Sequence, residues 1–326
     1  MSLPKIAFIG TGGTIASMGP HSLELHDYAV GHILTAPEIV ARCPEVARVA
    51  DVTPIAFKTV PSSRIFFDDW KALAALCREL EPDYAGIVIG HGTGSLEETA
   101  YFLSLTLKVA IPVVVTGSQR PNSAVSSDAG LNLVNAVRTA ASPDARGLGV
   151  LVVLNDEIHA ARDVTKTSTH RMQTFRAADF GALGHADGDA IVFYRRPLRA
   201  VYPHTEFDVA GMAALPRVDI AYGYAGSDGT AIRAFAAAGA KGIVYAGFAP
   251  GMATPDDFDA LKAAVEAGIP VVLSTRAGSG RVVVGSRLRE AGILSADNLT
   301  PQKARLLLAL ALGRSPADVA GAFAKY

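Results

Sequence analysis

Residues 87–100 read IVIGHGTGSLEETA. An apolar, β-branched run ends at Gly90, the small-residue turn His91-Gly92-Thr93-Gly94 follows, and a helix-like stretch opens with Ser95 and Glu98. The run is short and rich in β-branched residues, so it reads as a buried strand that hands over to a helix. The same construction recurs along the chain. Strands are predicted at 5–10, 52–57, 86–90, 111–117 and 149–155, and again at 218–224, 241–247 and 269–275. The helices between them carry start signals: Thr35 with Glu38, Asp68 or Asp69, Ser126 or Ser127, Ser95 with Glu98, and Thr254-Pro255. Short strands alternating with helices make parallel sheets with crossover helices. The fold class is therefore α/β: a larger N-terminal domain (1–195) with a mostly parallel sheet flanked by helices, and a smaller C-terminal α/β domain (217–326). The stretch between them, 196–216, carries prolines and charges without a long period and reads as a linker.

Composition limits the partners. With 326 residues, a formal charge of −1 and 19% charged residues scattered along the chain, nothing points to nucleic acid or an anionic membrane. The longest apolar runs, such as 149–154, fall well short of the roughly 20 residues that span a bilayer. MSLPKIAFIG enters a strand almost at once and lacks the features of a secretory signal, so a cytoplasmic location is expected. The two cysteines, Cys43 and Cys77, lie in helix-like segments and read as small buried hydrophobes. The eight histidines show no metal-ligand spacing, so a metal site is not expected.

Three predicted strands end in small-residue turns: GTGGT (10–14), GHGTGS (90–95) and TGSQRP (116–121). Ligands bind at the carboxyl ends of the strands in an open α/β sheet, so three such turns in one domain suggest one shared site. GTGGT is not a dinucleotide loop, because Ile15 stands where a third glycine belongs, and it lacks the Gly-Lys-Ser/Thr end of a phosphate loop. No G-x-S-x-G nucleophile elbow occurs. Taken alone, Thr93 reads as a helix-start residue and Lys166 as a surface lysine.

TGGTIAS (11–17), GHGTGSLEETAYFLSLTL (90–107), VVVTGSQRP (113–121), SSDAGLNLVNAV (126–137), LVVLNDEIHAARDVTKTST (151–169) and TPQKARLLLALAL (300–312) together resemble the bacterial asparaginases. The likeness spans essentially the whole chain. It implies an amidohydrolase that opens a side-chain amide with a threonine nucleophile and no cofactor. The nucleophile falls on Thr14, the second threonine of TGGT, and the assisting tyrosine on Tyr28, in a segment (19–31) that reads as a mobile lid. Thr93 and Lys166 fall on the family's second active-site threonine and its lysine, and a backbone N–H of the 92–94 turn is placed to help hold an oxyanion. Ser62 falls on a substrate-contacting serine, with Ser63, Gly92 and Gly94 completing the substrate-binding set. His91 is expected to position backbone. The resemblance also implies a homodimer or homotetramer.

The likeness breaks at four polar positions. Gly94 replaces the aspartate of the usual H-G-T-D, which holds the substrate's α-ammonium. Ser63 stands for a glutamine, Met252 for an asparagine, and no glutamate lies between Ala277 and Arg289 to reach a neighbouring subunit's site. An α-ammonium desolvated without a carboxylate partner is strongly disfavoured. The resemblance implies L-asparagine as substrate. The departures suggest instead a related amide, lactam or ester lacking a free α-amino group, with Arg64, Arg281, His170 and Arg171 as cations that could favour an anionic one. A non-catalytic ligand-binding role is the alternative from another class.

Overall fold

Lys5–Gly10 (β1), Gly86–Gly90 (β3), Val113–Thr116 (β4) and Val150–Leu154 (β5) are continuous apolar runs, and beyond Lys5 every one of their residues is buried. A strand covered on both faces has no use for alternation, which is why these segments read as unbroken runs. The computed structural model describes residues 2–28, 31–315 and 318–326. They fall into two units, 1–206 and 207–326.

In the first unit, Asp51–Ala56 (β2), Glu157–Ala160 (β6), Gly184–Ala186 (β9) and Ile191–Phe193 (β10) join those runs in an eight-stranded sheet of order β10-β9-β6-β5-β4-β3-β1-β2, while Thr165–Lys166 (β7) and Phe175–Arg176 (β8) form a separate pair. Strands β2, β1, β3, β4 and β5 run parallel; β6, β9 and β10 extend the sheet antiparallel. Pro54 pairs opposite Phe8 in β2, the edge strand, where a residue without an N–H is tolerated. The turn from β5 into β6 places Asn155 and Asp156 at φ 52° and 64° with Leu154 opposite Glu157, a two-residue hairpin of the primed type.

Helices Ala36–Ala41 (α1), Phe67–Leu80 (α2), Leu96–Thr106 (α3) and Ala129–Ala141 (α4) belong to this unit. In α4, Leu133, Ala136, Val137 and Ala140 recur at helical spacing and pack with Val88, Val114 and Phe8 in the core. Each fully buried Leu or Val contributes roughly 1.5–3 kcal/mol.

Among the caps of this unit, the Thr35–Glu38 box read for α1 is present and the others differ in detail. For α1, Glu38 accepts from both the N–H and the hydroxyl of Thr35, each at 2.8 Å. For α2 the cap position is Phe66, whose N–H donates to Asp69 at 3.0 Å. For α4 it is Asp128, whose carboxylate instead holds the N–H groups of Gln119 and Arg120 in the turn after β4. Ser95 does cap α3, without a side-chain cap hydrogen bond; its hydroxyl donates to the Ser62 carbonyl at 2.8 Å. Cys43 sits just past the end of α1 and Cys77 within α2; both are free and buried, and burial pushes the Cys43 thiol up to about 11 and Cys77 to about 12.

The stretch read as a linker is firmly packed at two points. The Tyr202 hydroxyl accepts from the Val113 N–H at 3.0 Å and donates to the Ile111 carbonyl at 3.1 Å within the first unit. Phe207 packs against Tyr326, ring centroids 5.0 Å apart, within the second.

The second unit has a four-stranded parallel sheet, Val218–Tyr222 (β11), Gly242–Gly247 (β12), Val271–Thr275 (β13) and Leu294–Ser295 (β14), in that order. Its helices are Thr230–Ala237 (α5), Pro255–Glu266 (α6), Ser286–Glu290 (α7), Pro301–Arg314 (α8) and Val319–Lys325 (α9). Thr254 caps α6 by accepting from the Asp257 N–H at 3.1 Å. The buried Asp257 carboxylate in turn accepts from Ser227, from Tyr245 at 2.7 Å and from the Gly229 N–H at 2.8 Å. Among the described residues, no helix is long and apolar enough to cross a membrane.

Candidate active site

In the first unit β1 lies between β2 and β3, so the chain leaves β1 to one side and returns on the other. A crevice opens outside the carboxyl ends of the strands where the order reverses in this way. The turns GTGGT, GHGTGS and TGSQRP leave from the neighbouring ends of β1, β3 and β4.

Gly12 and Gly13 adopt φ of 98° and 83°, a conformation open to glycine without steric cost. A Cβ on Gly13 would lie 2.1 Å from the Gly92 Cα, so the first two turns meet backbone to backbone. The third closes on them: a Cβ on Gly117 would lie 2.5 Å from the His91 carbonyl oxygen and 3.2 Å from the Thr93 Cγ2. The contact between Gly13 and Gly92 brings together the residues that immediately precede Thr14 and, in the next turn, Thr93.

Thr14 opens a 3-10 turn, Thr14–Ala16, and is buried; its hydroxyl lies 2.9 Å from the Tyr28 hydroxyl. Tyr28 belongs to a long excursion of the chain closed at its neck. There, Ser17 bridges Ile33, the Met18 N–H donates to the His32 carbonyl at 3.0 Å and the Leu34 N–H to the Ala16 carbonyl at 2.7 Å. Residues 29 and 30 of the segment read as a lid lie outside the described residues. The excursion is tied to the turn after β4, with Gly19 N–H donating to Ser123 and Val125 N–H to the Ser22 carbonyl.

Thr93 is buried, and its hydroxyl accepts from Lys166 Nζ at 2.9 Å. Lys166 reaches it from the short β7–β8 pair, where its own N–H donates to Glu97, a buried residue in the first turn of α3, at 3.2 Å. Burial lowers the Lys166 pKa below the ordinary lysine value, and the Glu97 charge opposes that shift.

Ser62, also buried, is laced to the start of α3: its Oγ accepts from the Ser95 N–H at 3.3 Å and its carbonyl from the Ser95 hydroxyl. A Cβ on Gly92 would lie 2.9 Å from the Ser62 Cβ, and a Cβ on Gly94 would meet only the Ser62 Oγ, at 3.0 Å. Gly94 is exposed, with open space beside it next to Ser62. Ser63 is exposed on the same 3-10 turn, Ser62–Arg64. Met252 is exposed after β12 in the second unit, and Arg281 there is engaged by Asp297 at 3.1 Å. His170 makes an edge contact with His26, ring centroids 5.5 Å apart.

Thr14 with Tyr28, and Thr93 with Lys166, are thus paired, and Ser62, Gly92 and Gly94 adjoin one another. Two features escaped the sequence reading: the Glu97 contact to Lys166, and a buried chain of hydrogen bonds from Trp70 through Thr99 to His91. The available signal was the presence of polar Glu97 and Thr99 in a helix whose other residues are largely apolar.

Two family models match the chain: Asparaginase, N-terminal, over residues 5–199, and Glutaminase/Asparaginase C-terminal domain, over residues 217–323. L-asparaginase 2 of Bacillus subtilis is 40% identical, over 99% of this chain and 87% of its own length. The glutaminase-asparaginase of Pseudomonas fluorescens is 36% identical, over 96% of this chain and 87% of its own. A crystal structure described as a probable cytoplasmic L-asparaginase from Campylobacter jejuni superposes with a TM-score of 0.94 at 36% identity, covering 99% of this chain and 100% of that one. With interlocked turns at the switch point of the first sheet, and with matches that span both units, the chain belongs to the asparaginase family and is an amidohydrolase of that type.

Proposed function

We propose that the chain hydrolyses the amide of a small molecule lacking a free α-amino group, with Thr14 as nucleophile. The Thr14 oxygen attacks the amide carbon while its proton passes to the Tyr28 oxygen, which gives up its own proton to the amide nitrogen. The carbon–nitrogen bond then breaks and ammonia leaves, giving an acyl-threonine ester. Water adds to the ester, the proton it loses is taken up through the Thr93 hydroxyl by neutral Lys166, and the acyl–oxygen bond breaks as a proton returns to the Thr14 oxygen, releasing a carboxylic acid. A threonine hydroxyl needs such a neighbour because it is a weak nucleophile at its free pKa, and a lysine with a lowered pKa can exchange protons nearer neutrality.

The observation that carries this reading is the contact between Gly13 and Gly92, which sets the Thr14–Tyr28 and Thr93–Lys166 pairs on adjoining turns. L-asparagine is the substrate suggested by the relatives' names. Gly94 speaks against it, because the resemblance sets an aspartate at this position to meet an α-ammonium and a glycine stands there instead. A lactam or an ester of the same shape would use the same hydroxyl pairs. A homodimeric or homotetrameric assembly and a cytoplasmic location belong to the same proposal; the description of the Campylobacter jejuni neighbour supports the location.

The test is ammonia release from a panel of small amides by the wild type and by Thr14→Ala. Turnover should fall by roughly a thousandfold or more in the variant, as expected when a nucleophile is removed. Undiminished turnover would sink the mechanism, and binding without turnover by the wild type would make the chain a ligand-binding member of the fold.

A further inference from the structure

Behind Thr93 lies a chain of buried polar contacts. The Trp70 indole N–H, from α2, donates to the Thr99 hydroxyl, on α3, at 2.8 Å. The Thr99 oxygen lies 2.9 Å from His91 Nε2, and His91 Nδ1 lies 2.8 Å from the Gly92 carbonyl oxygen. Thr99 and His91 are wholly buried and Trp70 is 6% exposed, stacked on Phe102 with ring centroids 4.9 Å apart.

The chemistry of the groups gives this chain a single direction. An indole N–H can only donate. The Thr99 oxygen therefore accepts from Trp70 and has its own proton left to donate to His91 Nε2. With Nε2 as acceptor, the ring proton sits on Nδ1 and is donated to the Gly92 carbonyl. The other tautomer would set a lone pair of Nδ1 against that carbonyl oxygen. Burial holds the ring neutral, lowering the His91 pKa to about 4, so the tautomer persists across the neutral range.

The Gly92–Thr93 peptide is trans, so its N–H points opposite to its C=O. Drawing the carbonyl in toward His91 turns the Thr93 N–H the other way, and among the described residues nothing accepts from it. We propose that Trp70 and Thr99 are positioning residues that select the Nδ1–H form of His91 and thereby hold the Gly92–Thr93 peptide with its N–H free for the oxyanion of the reaction. The role of the peptide rests on the proposed function; the direction of the hydrogen-bond chain does not.

Two measurements separate these. In protein carrying 15N-labelled histidine, one ring should show the Nδ1–H tautomer without titrating between pH 5.5 and 8, and its signals should vanish in His91→Gln. An Nε2–H tautomer for that ring would overturn the proposal. In kinetics on the best amide of the panel, Thr99→Val should lower kcat by roughly 10- to 100-fold with little change in KM, the size expected when a reacting group is slightly misplaced. Thr99→Ser, which keeps the hydroxyl, should restore most of it. Trp70→Phe keeps the stacked ring, removes only the N–H and serves as the second variant if Thr99→Val fails to fold; it should lose kcat in the same sense and shift the His91 tautomer. A lower melting temperature with unchanged kcat in these variants would reduce the chain to a packing role and overturn the proposal. Thr93→Ala distinguishes the two failures: if it retains full activity the proposed function fails, whereas its inactivity beside a fully active Thr99→Val refutes only the positioning.

Discussion

Gly94 is the residue on which the proposed change of substrate turns. Its φ lies outside the left-handed region, and the nearest atom to an added Cβ is the Ser62 hydroxyl at 3.0 Å, a side-chain end that can give way. Gly94→Asp should therefore fold, and it should raise kcat/KM for L-asparagine by roughly 10- to 100-fold, the worth of one charge-assisted hydrogen bond of about 1.5–3 kcal/mol. Steady-state ammonia release on L-asparagine checks this. At His91 the same scale yields a stability prediction. An unfolded histidine takes up its proton near pH 6.5, whereas the folded ring resists until about 4. Between those values the unfolded state binds more protons, so stability from this group is full above pH 6.5 and is lost as pH falls toward 4. The loss is on the order of 3 kcal/mol. Urea unfolding across that window should show a shallower pH dependence for His91→Gln than for the wild type.

Among the elements, the parallel strands were legible because each is a short, unbroken apolar run; β1, with Ile6, Phe8 and Ile9 all buried, could be read residue by residue. The antiparallel extension was not. Strands β9 and β10 have three residues apiece and β7 and β8 two, too few for a period; β7 pairs with β8, β10 with β9, and β9 also with β6. The Asn155-Asp156 hairpin was a local signal that could have revealed β6. Resemblance, not local pattern, pointed to Lys166, since a two-residue strand says nothing of itself. The Trp70–Thr99–His91 chain was invisible for another reason: its members sit on two helices and a strand end, and only the packing of α2 and α3 brings them together. The packing of the 196–216 stretch was not legible because its anchor, Tyr202, bonds to Ile111 and Val113, far away in the chain. Tyr202→Phe removes the acceptor of the buried Val113 N–H, so it should cost about 1–3 kcal/mol in urea unfolding with the fold unchanged.

The molecule as a whole joins two α/β units, each with its own sheet and its own apolar core. Strand and helix alternation declared both of them in the sequence. The turns that meet in the first unit hold the hydroxyl pairs that the proposed hydrolysis uses, while the position proposed to decide on an α-ammonium is a glycine. Chemistry kept with a changed substrate is the account that joins these two facts. Succinamate, which is L-asparagine without its α-amino group, tests it most directly. In parallel assays of ammonia release, kcat/KM for succinamate should exceed that for L-asparagine, and both should collapse in Thr14→Ala. A clear preference for L-asparagine by the wild type would contradict the account.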